Sequence, residues 1–364
     1  MTQPLRPFPI PSDDAIRSIL VDRIDTKHQS LGIVAGIVWD QGRRVVAYGQ
    51  LEEGDDRTLD GDTIFEIGSL TKVFTCLLLA DMVHHGEVSL GDPLSNYLPS
   101  EVKVPQRNGR LITLVDLATH TSGLPRLPTN LAPKNLANPY ADYSVDQLYE
   151  FLSGYQLTRD IGSEYEYSNL GGGLLGHALA RRAGMEYEEL VKSRICTPLY
   201  MSSTAVSLTP AMKARLAAGH NARLAPVENW DLLTLAGAGA LRSSANDMLK
   251  FLSANLSLTR SPLAPALASM LAVRRATNIP AMQIALGWRV TTGVDRETVW
   301  HNGLTGGYRS YMGFDGKAGM GVLVLSNASP VAGMFVGGNV SIDDIGQHLL
   351  DGGVPLQQPP QHKQ

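Results

Sequence analysis

Ile67-Gly68-Ser69-Leu70-Thr71-Lys72-Val73-Phe74 sets a serine three residues ahead of a lysine, at the head of an apolar run that reaches Ala80. Positions i and i+3 share a helix face, so this spacing brings a hydroxyl and an amine together where a helix starts. A hydroxyl is a poor nucleophile at neutral pH and needs a base beside it. An amine can be that base if desolvation or a neighbouring cation lowers its pKa. A helix N-terminus adds partial positive charge and free N–H groups where an oxyanion would form. The quartet also occurs on ordinary exposed helices, so its meaning depends on the rest of the chain.

Outward from this stretch, the pattern is mixed. Asp13 to Asp25 alternates apolar and charged residues at helical spacing behind Ser12, a suitable N-cap. Gly32–Trp39 and Arg43–Tyr48 read as a hairpin around Asp40-Gln41-Gly42. The helix that begins near Ser69 stops at Gly86, and helical patterns recur at Val145–Tyr155, Gly172–Ala183 and Tyr187–Cys196. Sheet character returns at Gln283–Thr291, Thr298–Asn302, Tyr308–Phe314 and Met320–Ser326, and Ile342–Leu350 closes as a helix. Ser261–Val273 reads as a core-facing helix. Strands at both ends of the chain with helices between them predict an α/β fold of the α+β type. An antiparallel sheet is flanked by N- and C-terminal helices, a mostly helical lobe is inserted, and the site lies between the two. The expected division is residues 1–85 with 236–352 as the sheet domain, 86–235 as the inserted domain, and 353–364 as a flexible tail.

Two further segments carry chemistry. In Glu164-Tyr165-Glu166-Tyr167-Ser168-Asn169, a phenol and an amide stand in a turn before Gly171-Gly172-Gly173. A phenol titrates near 10, but beside a cationic lysine its phenolate is favoured and it can act as a base. An amide both donates and accepts, so Asn169 can fix a lysine and hold a substrate amide. By itself the segment also reads as a structural turn. Trp300-His301-Asn302-Gly303-Leu304 is a strand end whose glycine lets backbone approach a ligand and whose edge can pair with an extended substrate. His301 adds polar or positive character there, although a histidine at a strand end is often structural.

Ser69/Lys72, Tyr167/Asn169 and His301/Gly303, in that order, resemble the S-x-x-K, Y-x-N and [K/H]-x-G motifs of the serine β-lactamase and penicillin-binding-protein superfamily. The closest likeness is to its class C β-lactamase, D,D-carboxypeptidase and family VIII esterase branch. Ile112–Pro125, Gly162–Asn169 and Ala238–Met248 are also similar to segments of that family, except that Ile161 replaces a family proline. The resemblance implies a serine hydrolase that forms an acyl-enzyme on Ser69. Lys72 and Tyr167 share the base role, Asn169 positions Lys72 and the acyl amide, and His301, Asn302 and Gly303 line the substrate. The amides of Ser69 and Leu304 would form the oxyanion hole. Leu304 replaces the small or hydroxylic residue of efficient β-lactamases, and Arg309 reads either as a substitute carboxylate partner or as a solvated strand residue. Hydrolysis of a β-lactam or D-amino-acid peptide, an esterase or acyltransferase, and an acylated sensor without turnover all fit the same motifs.

Composition narrows the rest. The 364 residues are 43 % hydrophobic and 18 % charged, with 36 Gly and 21 Pro, a globular and loop-rich balance. A net charge of −4 without a basic run argues against nucleic acid and leaves a small molecule or short peptide as partner. Neither H-E-x-x-H nor paired C-x-x-C occurs, so no metal or other cofactor is expected. Cys76 reads as a small buried hydrophobe, and its pairing with Cys196 stays open. No leader peptide or membrane span is legible, which leaves a cytoplasmic protein or an exported one whose leader is gone. Oligomeric state is open.

Overall fold

The computed structural model of the chain describes residues 9–329 and 342–352. The expected tail at 353–364 lies outside them. Eight antiparallel strands form the main sheet: β1 (Gly32–Trp39), β2 (Gly42–Gly49), β3 (Arg275–Ala276), β4 (Met282–Ile284), β5 (Arg289–Thr292), β6 (Glu297–Leu304), β7 (Arg309–Asp315) and β8 (Met320–Ser326). Their order is β2-β1-β8-β7-β6-β5-β4-β3, so the two ends of the chain meet where Ile33 faces Ser326 and Trp39 faces Met320. The β1–β2 hairpin turns at Asp40-Gln41, with Trp39 opposite Gly42.

The sheet is buried on both faces. On the back, α1 (Asp13–Val21) and α6 (Asp343–Leu350) pack Ile16, Leu20, Ile345 and Leu349 against Ile37, Val322 and Tyr311. Each such side chain contributes about 2 kcal/mol by leaving water. Ser12 caps α1 through the amide of Ala15, as its position suggested, but the helix ends at Val21 and a π-helical turn takes Asp22–Thr26.

On the front, α5 (Ala245–Asn255) lies on β1 and β8. Next to it is α2 (Thr71–His84), whose residues from Thr71 to Met82 are all buried. A helix apolar on every side belongs in the middle of a core. Helices also pack around it, including α3 (Asn169–Ala183), the short α4 (Ala236–Gly239) and the turn of helix Ala264–Ser269. No helix among the described residues is long and apolar enough to cross a membrane.

Two readings change, and the open question of the cysteines closes. Gln283–Thr291 is not one strand. Gly287 at φ +71° closes a tight turn, in which Ala285 N donates to Trp288 O at 2.7 Å, and splits it into β4 and β5. That turn presses on α2, since a Cβ on Gly287 would stand 2.9 Å from Cys76 Cβ and 3.0 Å from Lys72 O. Within Ser261–Val273 only Ala264–Ser269 is helical, with Leu263, Ala266, Leu267 and Met270 buried. Cys76 and Cys196 are both free and buried, and burial pushes each thiol up to about 12.

Candidate active site

Ser69 sits in a 3₁₀ turn, Gly68–Leu70, that runs directly into α2. Gly68 takes φ +50°, a left-handed conformation that costs glycine least. The turn lets Ser69 stay partly exposed while Lys72, one helical step on, is only 2 % exposed. Lys72 Nζ donates to Ser69 Oγ at 3.0 Å, to Asn169 Oδ1 at 2.9 Å and to the carbonyl of Ala238 in α4 at 2.7 Å. All three ammonium hydrogens therefore have acceptors. Burial lowers the lysine pKa, with Arg126 and Arg289 acting in the same direction and Tyr167 opposing them.

Asn169 opens α3 rather than standing in a turn before it. Ser168 is the N-cap and accepts from Gly171 N at 2.8 Å. The glycines that follow serve packing, because a Cβ on Gly172 would stand 3.0 Å from Lys72 Cε. α3 thus lies against the lysine stem and delivers Asn169 to its head.

Tyr167 places its ring centroid 4.9 Å from Lys72 Nζ, 5.2 Å from Arg126 Cζ and 5.5 Å from Arg289 Cζ. Burial alone would raise the phenol. Lys72 and Arg289, with hydrogen bonding toward Lys72 and Ser69, outweigh it and lower the pKa below 10. Tyr165 goes the other way, because burial raises it. The sequence offered two tyrosines; Arg289 and Arg126 act on both, but only Tyr167 also has Lys72 beside it, and there the cations outweigh burial.

The end of β6 forms the opposite wall. His301 and Gly303 face the Ser69 side of the sheet, and Gly303 is pressed onto the turn that holds the serine. A Cβ there would come within 2.1 Å of Ile67 O and 2.3 Å of Ser310 Oγ, which itself donates to Ile67 O at 2.7 Å. The amide nitrogen of Leu304 is 2.7 Å from where a Cβ on Gly68 would stand, so it lies beside the backbone of Ser69. Gly303→Ala must push these chains apart. It is expected to cost about 1–3 kcal/mol of stability and to lower kcat by about 100-fold or more by displacing the Leu304 amide. Thermal unfolding and ester hydrolysis would show both.

His301 is 1 % exposed, and its ring lies 6.2 Å from that of Tyr167. Burial first, then Arg289 and Lys72, hold its pKa well below 6.5. It is therefore neutral at pH 7 and supplies polarity without the positive charge that the sequence also allowed.

Three expected contacts do not converge. Alternation along β6 turns Asn302 and the Leu304 side chain to the face opposite His301. Asn302 accepts from Arg289 at 2.6 Å and donates to Asp343 Oδ2 at 2.6 Å, so it holds an arginine. Arg309 pairs with Leu304 across the ladder and shares the back face with Tyr311. Burial brings its guanidinium down to about 10, while Asp343 and Asp344 raise it.

Sequence reasoning missed other neighbours. His120, in the left-handed region at φ +55°, accepts from Ser168 N at 3.2 Å and packs with its ring tilted against that of Tyr167, centroids 4.6 Å apart. Tyr140 reaches Asn169 Nδ2 at 3.4 Å and packs on Trp230, their centroids 5.4 Å apart. Arg126 and Arg289 complete the ring of cations. His120 and Arg126 stand in or just after the Ile112–Pro125 segment, but no local pattern marks any of the four.

With a hydroxyl bonded to a buried amine, a phenol of lowered pKa beside them and two amides opposite, the arrangement can activate a serine toward a carbonyl. The comparisons agree. The family described as Beta-lactamase matches residues 18–347. The D-alanyl-D-alanine-carboxypeptidase/endopeptidase AmpH of Escherichia coli strain K12 is 31 % identical over 313 residues, covering 82 % of this chain and 80 % of its own. A beta-lactamase of the same strain is 26 % identical over 330 residues, covering 81 % and 84 %. A class C beta lactamase from Rhodobacter sphaeroides superposes with a TM-score of 0.74 at 26 % identity, covering 87 % of this chain and 95 % of its own. A beta-lactamase/D-alanine carboxypeptidase from Yersinia pestis, at 24 % identity and a TM-score of 0.78 over 94 % of this chain and all of its own, shares the fold.

Proposed function

The chain belongs to the beta-lactamase family of serine hydrolases, and from that premise we propose that it cleaves D-amino-acid peptides, with β-lactams as competing acyl donors, through an acyl-enzyme on Ser69. The observation that carries this reading is Lys72 Nζ, buried and shared between Ser69 Oγ at 3.0 Å and Asn169 Oδ1 at 2.9 Å, next to a tyrosine of lowered pKa.

As Ser69 Oγ bonds to the carbonyl carbon, its proton passes to the Lys72–Tyr167 pair, whose titration belongs to both groups. The carbonyl oxygen takes the negative charge and accepts from the amides of Ser69 and Leu304. The C–N bond breaks as Tyr167 returns a proton to the leaving nitrogen. Water then attacks the ester, loses its proton to the same pair, and Ser69 leaves with that proton. Asn169 holds Lys72 and can also receive the acyl amide.

The test is a panel of a D-Ala-D-Ala peptide, a penicillin and a short p-nitrophenyl ester, followed by product release and intact mass. Release of D-alanine with a transient adduct on Ser69 is expected. Fast ester turnover with inert peptide and penicillin would replace the reading with an esterase. A lasting adduct without product would replace it with a sensor.

A further inference from the structure

We propose that His120 is the positioning residue of Tyr167: it holds the backbone on both sides of the phenol and packs on its ring, and so aims the hydroxyl at Ser69 and Lys72. The proposal rests on the reading of Tyr167 as the base.

Tyr165 to Ser168 lie in neither helix nor strand, yet a catalytic group misplaced by about 1 Å can lose about 100-fold in rate. The segment must be held from outside. The Glu166 amide donates to the His120 carbonyl at 2.9 Å, and the Ser168 amide donates to His120 Nδ1 at 3.2 Å. These are the amides on either side of Tyr167. Between them the His120 ring packs against the Tyr167 ring, centroids 4.6 Å apart and planes at 41°. One residue thus makes three contacts with Glu166-Tyr167-Ser168. Further along, Ser168 Oγ donates to Pro125 O at 2.7 Å and the Asn169 amide to Arg126 O at 3.0 Å, so the stretch after His120 backs the start of α3.

His120 is itself fixed. It follows the short helix Leu114–Ala118, and its amide donates to Leu117 O at 3.3 Å. The next amide, that of Thr121, donates to Asp116 O at 2.8 Å. Asp116 is fully buried and pairs with Arg275 at 2.8 Å and Arg110 at 3.2 Å. At φ +55° the His120 backbone is left-handed, a conformation unfavourable for a residue with a side chain. It turns the carbonyl and the ring of one residue toward the same segment. Strain of this kind persists where the surroundings over-determine it, and it gathers at functional sites.

The hydrogen bond also sets the tautomer. A backbone N–H only donates, so Nδ1 is the bare nitrogen and the proton sits on Nε2. A proton added at Nδ1 would set N–H against N–H. Burial, and the cations Lys72, Arg289 and Arg126 around the ring, hold the imidazole well below its ordinary 6.5. The acceptor is therefore in place at neutral pH.

The experiment is a double-mutant cycle on kcat for the fastest substrate of the panel. His120→Leu lacks the acceptor. His120→Asn keeps one, because asparagine carries an oxygen where histidine has Nδ1, and it tolerates a left-handed backbone. His120→Leu should lower kcat by about 100-fold and change KM by less than about threefold, and His120→Asn should keep about tenfold more activity than His120→Leu. In a Tyr167→Phe background His120→Leu should cost no more than about threefold, because the hydroxyl that it positions is gone. A role in folding alone predicts equal losses in both backgrounds, and that result would overturn the proposal. Equal activity of the Leu and Asn variants, or a His120→Leu protein within about threefold of wild type, would overturn it too. Should His120→Leu not fold, the ¹⁵N spectrum of histidine-labelled wild type decides: an unprotonated Nδ1 on His120 supports the contact, and a protonated one overturns it. A Tyr167→Phe protein with full activity removes the base reading and His120's role with it. A large loss at Tyr167→Phe that is not coupled to His120 removes only the positioning role.

Discussion

Ser69→Ala is expected to remove turnover of peptide, β-lactam and ester alike, by about 10⁴-fold or more, because nucleophile, base and oxyanion donors act as one unit. The fold should survive. Ser69 is partly exposed, and the bond that the variant loses is the one from Lys72 Nζ, which keeps its acceptors on Asn169 and Ala238. Unfolding should therefore shift little, and the acyl adduct should vanish from the intact mass spectrum. Full activity in this variant on any of the three substrates would rule out the mechanism.

Tyr167→Phe is expected to lower kcat by about 10²–10⁴-fold, the range of a positioned acid or base, while Tyr165→Phe should stay within about threefold of wild type. The two phenols differ in surroundings rather than in kind. Burial would raise both, but at Tyr167 the charges of Lys72 and Arg289 prevail, whereas Tyr165 stays raised. The sign of the pH dependence follows. The pair works as a base after losing one proton, so kcat/KM should rise with pH through an apparent pKa that belongs to Lys72 and Tyr167 together. Since both members are lowered from their ordinary values of 10.5 and 10.0, that limb should lie below pH 10. Tyr167→Phe should abolish or displace it. His301 should add no limb at the ordinary histidine value near 6.5, because burial holds its pKa well below that. Equal losses at the two tyrosines would overturn the choice of base.

Much of this was legible in the chain. The continuous apolar runs at Gly32–Trp39 and Met320–Ser326, short and bounded by turn residues, give two strands buried on both faces, since such runs are a local property. The S-x-x-K spacing places hydroxyl and amine on one helix face for the same reason. The β4–β5 turn was missed because an apolar run containing one glycine reads equally well as a single strand, and only the packing of Gly287 on α2 selects the turn.

What the sequence determined by itself is the set of groups proposed for the attack: Ser69, Lys72, Tyr167 and Asn169 are named by motif, and local spacing settles which side chains share a face. Tertiary structure decided which charges surround them. Arg309, six residues past Gly303, reads from sequence either as a carboxylate partner or as a strand residue, and strand alternation sends it to the back of the sheet. Arg126 and Arg289, far apart in the chain, meet on one phenol instead. Electrostatic attraction depends on distance through space, and nothing in the local pattern of the chain specifies it.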